Sequence, residues 1–272
     1  MTSSQHAQHT QHGALKLSQH ALRIGGLLLL CFVALQLVFA ARIALMAVLA
    51  PQSTTFQRSE AWRLLVEKHH IAWAQDSVDG SRISPHLQRA VIASEDANFV
   101  DHNGIEWDAI EKAWQKNQQA EQRVGKAAAK PAQPARLAKA GAAARPAPTP
   151  KVVGGSTITQ QLAKNLFLSG ERTAVRKAQE ALLTGMLETM LGKERILAIY
   201  LNNVEWGEGI FGAQAASRHY FHVDAARLGP EQAARLAVML PAPKRFEKNP
   251  GSAYVTGRAA TIAARMGGVE LP

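Results

Sequence analysis

Leu87-Gln-Arg-Ala-Val-Ile-Ala-Ser-Glu-Asp-Ala-Asn-Phe99 reads as the end of an amphipathic helix with an acid in its apolar row. Leu87, Val91 and Glu95 recur at i, i+4 and i+8, so a helix places them on one face. Ser84-Pro85 just upstream offers a capping hydroxyl and a proline suited to the first turn. The spacing predicts a helix from there to about residue 97. Arg176-Lys-Ala-Gln-Glu-Ala-Leu-Leu183 repeats the anomaly. At about 100° per residue Leu183, Leu187 and Met190 form one stripe, and Arg176 and Glu180 fall within roughly 60° of its centre. A carboxylate on a burying face is costly to ionise unless it is paired. Chains accept that cost at structural ion pairs and at active sites.

Outward from these two segments the helical signal dominates. Residues 60–74 carry apolar points at Trp62, Leu64, Leu65 and Ile71, and spacing predicts helices over residues 105–117, 157–167, 173–191, 193–201, 210–221, 230–239 and 253–266, with Pro241-Ala-Pro243 as a stop after 230–239. Asp101-His-Asn-Gly104 reads as a turn. There is no series of alternating strands and no internal repeat, so a mainly α domain is expected.

Residues 24–41 are an apolar run interrupted only by Gln36, and 43–50 continue it past Arg42. About 20 apolar residues span a bilayer, and Arg42 can snorkel to an interface. Residues 24–50 therefore read as a transmembrane anchor. A cleaved signal peptide is the alternative, with Lys16 and Arg23 as its basic region and Val38-Phe39-Ala40 as its cleavage site; the length of the run favours the anchor. Basic residues flank both ends, so charge counting alone does not orient the span. Residues 1–23, with His6, His9, His12 and His20, read as a polar disordered tail. Residues 52–272 remain for the main domain, enough for a full core.

The chain has 272 residues and a net charge of +10. Much of that charge is local: residues 122–151 hold seven Lys or Arg and no acid. Prolines at 131, 134, 146, 148 and 150 exclude a continuous helix, so about 118–150 is a flexible basic insert within the domain. It reads as a solvated linker or as a surface for anionic lipid headgroups. No nucleic-acid signature accompanies the charge, so nucleic acid is not the expected partner. The single cysteine, Cys31, excludes an intramolecular disulfide.

Gly154-Gly-Ser-Thr-Ile-Thr-Gln-Gln-Leu-Ala-Lys-Asn165 opens another helix, with Thr157 and Gln160 at capping-box spacing. Exposed N–H groups at a helix start favour anions. The stretch lacks the Lys-Ser/Thr ending of a P-loop. Downstream, Arg172, Arg176 and Lys177 stand before or at the start of the helix carrying Glu180, where cations oppose the helix dipole. Arg176 before Glu180 is also the poorer i,i+4 order. A structural ion pair accounts for part of this; a bound anion accounts for more.

Together these segments resemble the family-51 glycosyltransferases, the peptidoglycan transglycosylases, most closely in their monofunctional, membrane-anchored form. The resemblance covers residues 83–258. Its first motif, Glu-Asp-x-x-Phe-x-x-His-x-Gly, appears as Glu95, Asp96, Phe99, His102 and Gly104. The second is the Gly154–Asn165 stretch and the third Arg176-Lys-x-x-Glu180. Arg195-Ile-Leu-x-x-Tyr-Leu-Asn202, Gly209-x-Phe-Gly-x-x-x-Ala216 with Tyr220-Phe221, and Ala233-x-x-x-Ala237 with Leu240-Pro241 follow in order. No penicillin-binding Ser-x-x-Lys domain is expected after them. The basic insert is longer than the family pattern suggests.

The resemblance implies a lysozyme-like α-helical domain with a membrane-facing lobe. It implies polymerisation of lipid II, a disaccharide-pentapeptide on undecaprenyl diphosphate, with inversion to a β-1,4 bond. Glu95 is then the general base for the acceptor 4-hydroxyl, its apolar row raising its pKa. Lys164, Arg172, Arg176 and Lys177 stabilise the diphosphate, and Glu180 holds those cations and the sugar. Ser156, Thr157 and Gln161 hydrogen-bond the donor, and Asp96 orients Glu95 or a cation. No cofactor is required; a divalent cation at the diphosphate is allowed, although no ligand cluster demands one. Expected partners are lipid II, the lipid-linked glycan, the membrane and other cell-wall or divisome proteins. The expected site is the inner membrane, with the domain on the periplasmic side. A glycan-cleaving hydrolase and a non-catalytic scaffold are the alternatives; the second and third motifs argue against the first, and the two glutamates against the second.

Overall fold

The computed structural model describes residues 3–107, 111, 115, 118–119, 155–171 and 173–272. The expected helix at 105–117 lies largely outside them, and the basic insert and Arg172 do so too. Met1–Ala50 and Pro51–Pro272 form two compact units.

In the first unit, helix α1 runs from Ser3–Met46. Within it Leu22–Leu45, 24 residues of mean hydropathy 2.5, is long and apolar enough to cross a membrane. The tail expected to be disordered is helical. No proline interrupts before Pro51, and Ala, Leu, Gln and Lys are good helix formers. The apolar helix stops at Met46 rather than reaching residue 50, because the chain turns there.

The second unit is mainly helical among its described residues. Helix α2 (Thr55–Lys68) begins earlier than apolar spacing suggests, because Thr54 and Gln57 form a capping box. Helix α3 (Pro85–Glu95) starts on the Ser84 cap and ends at Glu95, where Asp96 leaves helical geometry at φ −160°. Helices α4 (Ile158–Phe167) and α5 (Ala174–Met190) are capped by Thr157 and Thr173, and α6 (Lys193–Asn203) follows. Then come α7 (Ala213–Phe221), α8 (Pro230–Met239), the short α9 (Pro243–Phe246) and α10 (Ala253–Met266).

A small sheet, which periodicity does not reveal, joins β1 (Ala74–Gln75), β2 (Glu205–Gly207) and β3 (Ile210–Phe211) in the order β1-β3-β2. β3 pairs parallel with β1 (Ala74 opposite Ile210) and antiparallel with β2 (Glu205 opposite Phe211). Ile210 and Phe211 were expected to open a helix. They form a strand instead, because Gly212 turns the chain at φ +83° before α7 begins. A Cβ there would lie 2.7 Å from the Asn202 carbonyl oxygen, so only glycine fits.

α3 packs against α8 and α10, while α4 packs against α2, α5 and α6. Leu87 and Val91 are fully buried, as are Leu183 and Leu187. Burying one such leucine contributes about 1.5–3 kcal/mol. The same stripes that anchor α3 and α5 therefore fix where Glu95 and Glu180 emerge.

Candidate active site

Glu95 is the last residue of α3 and is half-buried. Its Oε2 accepts a 3.0 Å hydrogen bond from Gln161 Nε2 on α4. Gln161 is itself held from behind: its Oε1 accepts from the Tyr200 hydroxyl of α6 at 3.0 Å. Burial pushes the Glu95 carboxyl above its ordinary value, and the neighbouring Asp96 adds to this, while Gln161 and Ser94 oppose it. Tyr200 is fully buried and its hydroxyl is pushed well above the usual phenol range by burial. It donates a hydrogen bond to Gln161 and is not an acid of the site.

Asp96 is buried and faces inward. Its Oδ2 accepts from the Ile158 N–H at the start of α4 at 2.9 Å, and its Oδ1 meets His102 Nε2 at 2.8 Å. His102 Nδ1 accepts from the Gly104 N–H at 3.0 Å, so Nε2 carries the ring proton and donates it to Asp96. Gly104, at φ +84°, closes this turn; a Cβ would strike Thr184 Cγ2 at 2.6 Å. Burial raises the Asp96 carboxyl, against the lowering effect of His102 and Ile158. Asp96 thus ties the end of α3 to the start of α4. Ligand atoms of Asp96, His102 and Glu106 lie within 4.8 Å of one another. These residues are already joined by internal bonds, Glu106 accepting from Asn98 Nδ2 at 2.6 Å.

Thr157 is buried too. Its hydroxyl accepts from the Gln160 N–H and donates to the Gly104 carbonyl at 2.6 Å. Like Asp96, it joins the first and second motifs from within, and neither residue lines the cavity beside them.

A cavity of about 570 Å³ lies beside these groups. Ser156, Gln161, Lys164, Arg176, Lys177 and Glu180 line it, together with Phe56 and Ser59 of α2, Val204, Glu205, Leu240, Pro241 and Pro243. Six of the ten candidate residues thus meet in one wall. Glu95 reaches that wall through Gln161, Asp96 and Thr157 support it, and Arg172 is outside the described residues. Glu180 is buried; its Oε2 accepts from Arg176 Nη1 at 2.9 Å and its Oε1 binds Lys177 Nζ. Arg176 keeps its buried Nε without a hydrogen-bond partner. Lys164 is exposed at the same cavity. The arrangement presents cations fixed on a buried carboxylate next to a half-buried carboxylate bonded only to neutral donors. The first suits an anion, the second a proton.

Tyr200 entered the sequence analysis only as a motif position, and Glu205 did not enter it. Tyr200 is core, but its hydroxyl also positions Gln161. Its motif position marked it, although no periodicity distinguishes a bonded hydroxyl from a packed ring. Glu205 had one signal, an acid flanked directly by Val204 and Trp206.

The transglycosylase family model matches residues 65–129 and 132–267. The biosynthetic peptidoglycan transglycosylase of Paraburkholderia phytofirmans is 45% identical over 250 residues, covering 92% of each chain. That of Burkholderia orbicola is 46% identical over 258 residues, covering 95% of this chain and 94% of the relative. That of Burkholderia lata is 48% identical over 241 residues, 89% and 87% of the two. The matched span carries every described site residue, and the likeness runs through nearly the whole chain: this protein belongs to the transglycosylase family.

Proposed function

We propose that this chain is a peptidoglycan glycosyltransferase that polymerises lipid II into β-1,4-linked glycan, releasing undecaprenyl diphosphate. The observation that carries the reading is the joining of Glu95, through Gln161, to a cavity wall bearing Lys164, Arg176, Lys177 and Glu180.

Glu95 takes the proton of the acceptor 4-hydroxyl as that oxygen attacks the donor anomeric carbon. Its raised pKa makes it a stronger base than an exposed carboxylate, while Gln161 keeps one oxygen aimed. The attack comes opposite the departing diphosphate, so an α-linked donor becomes a β-linked product. Arg176 and Lys177, held on Glu180, and Lys164 meet the negative charge that grows on the leaving diphosphate. Ser156 faces the same space and hydrogen-bonds the donor, and Arg172 joins the cation set. The protein supplies these charges itself, and a divalent cation enters only with the diphosphate.

The apolar helix anchors residues 24–50 in the inner membrane, and residues 52–272 act on the periplasmic side, where a lipid-linked substrate stays within reach. Other cell-wall synthases share that surface as partners. A glycan-cleaving enzyme has no use for the Arg176–Lys177–Glu180 assembly, which favours transfer over hydrolysis.

The test uses purified full-length protein and lipid II, following glycan polymer and released undecaprenyl diphosphate. Glu95→Gln keeps the Gln161 contact yet removes the base, and turnover falls by about 10²–10⁴-fold with a melting temperature no lower than that of wild type. Turnover within tenfold of wild type would sink the base assignment.

A further inference from the structure

Glu205 opens β2 directly after Val204, and both residues line the cavity. The glutamate is only 7% exposed, yet its Oε1 has no hydrogen-bond partner. Lys244 Nζ lies 3.5 Å from that oxygen, a charge contact longer than a good hydrogen bond. The close bond of Lys244 goes instead to Glu60 Oε1, at 2.5 Å. Glu60 is also gripped by Arg63, through Nε at 3.0 Å and Nη2 at 2.6 Å. Of the other polar groups around β2, the buried Trp206 Nε1 also has no hydrogen-bond partner, while two are committed elsewhere. Glu247 accepts from the Glu208 N–H, and the Tyr220 hydroxyl donates to the Trp206 carbonyl. A buried polar atom without a partner is unusual, and one on a cavity wall points to a ligand.

We propose that Glu205 contacts the substrate, donating a hydrogen bond from a neutral carboxyl to a hydroxyl or acetamido oxygen of the saccharide. This rests on the glycosyltransferase reading above. Lys164, Arg176 and Lys177 already provide for the diphosphate, so the remaining polar wall serves the uncharged sugar. A charged Glu205 would oppose an anion entering the same cavity, whereas a neutral one would not. Burial, opposed by Lys244 and helped by Glu60 and Glu247, pushes this carboxyl up to about 7. The site therefore changes character near neutral pH, binding well below that value and less well above it.

The experiment measures binding of a fluorescent lipid II, alongside KM and kcat, from pH 6 to 8.5 for the full chain in detergent. Wild type, Glu205→Gln and Glu205→Ala are compared. Wild-type affinity weakens about tenfold across this range, and Glu205→Gln flattens the dependence. Glu205→Ala weakens binding about three- to tenfold at pH 6, the effect of one hydrogen bond, and moves KM more than kcat. Because the folded carboxyl is raised, ionising it costs stability as pH climbs from 4.5 towards about 7. Glu205→Gln therefore melts higher than wild type at pH 8, and it keeps the test usable if the alanine variant fails to fold. Variants that bind and titrate like an active wild type overturn the Glu205 proposal alone. A wild type that binds lipid II without making polymer overturns the transferase reading instead.

Discussion

Glu95 and Glu180 are the same side chain in two opposite settings. Glu180 is buried with a guanidinium on one oxygen and an ammonium on the other. Glu95 is half-buried, and its hydrogen-bond partners Gln161 and Ser94 are neutral. The first is a counterion that cannot leave its cations without stranding them. The second is a base whose proton affinity is raised by burial and trimmed by one aimed amide. Partners, not residue type, divide the labour between two carboxylates.

The sharpest break in that contrast is to remove the charge from Glu180. Glu180→Gln leaves Arg176 and Lys177 without their anion at the cavity wall. Donor turnover falls by about 100-fold, and stability drops by about 1–3 kcal/mol, less than for a fully buried pair because Lys177 is 53% exposed. Parallel thermal melts and lipid II kinetics read both effects, and wild-type kinetics would remove Glu180 from the donor site.

Gln161 tests the other carboxylate. The base works only when ionised, so activity is lost as pH falls through the raised Glu95 pKa. Gln161→Leu deletes a donor that favours the charged form, moving the acid limb of kcat/KM to higher pH and lowering the plateau about tenfold. An unshifted limb would mean that another group titrates.

Tyr200→Phe is the mildest of the three. It keeps the buried ring and removes the hydroxyl that holds Gln161. A three- to tenfold fall in kcat is expected, with KM nearly unchanged. If kcat stays at the wild-type value, Tyr200 acts by packing alone.

Helices were legible because their apolar faces are local. Pro230–Met239 and Ala253–Met266 agree with the spacing residue for residue. The three short strands were not legible, since each is two or three residues long and depends on distant pairing. Glu95 and Glu180 announced themselves as charges in apolar rows. Asp96 and Thr157 stood in the first and second motifs, and nothing local said that they face inward. Each is held by a partner 53 to 62 residues away, Gly104 for Thr157 and Ile158 for Asp96. Glu205 lacked a helical row to violate, so it stayed unnoticed until the cavity wall brought it beside the cations.

The chain alone determined its family, its helical class, its apolar span and the residue types that carry charge to the site. These are set by order and periodicity along the sequence. Tertiary structure alone decided which groups share a wall, which are sealed behind it and which carboxyl goes without a partner. That division depends on burial and on contacts between residues far apart in sequence, where the dielectric surroundings and the nearest charge give each carboxylate its chemistry.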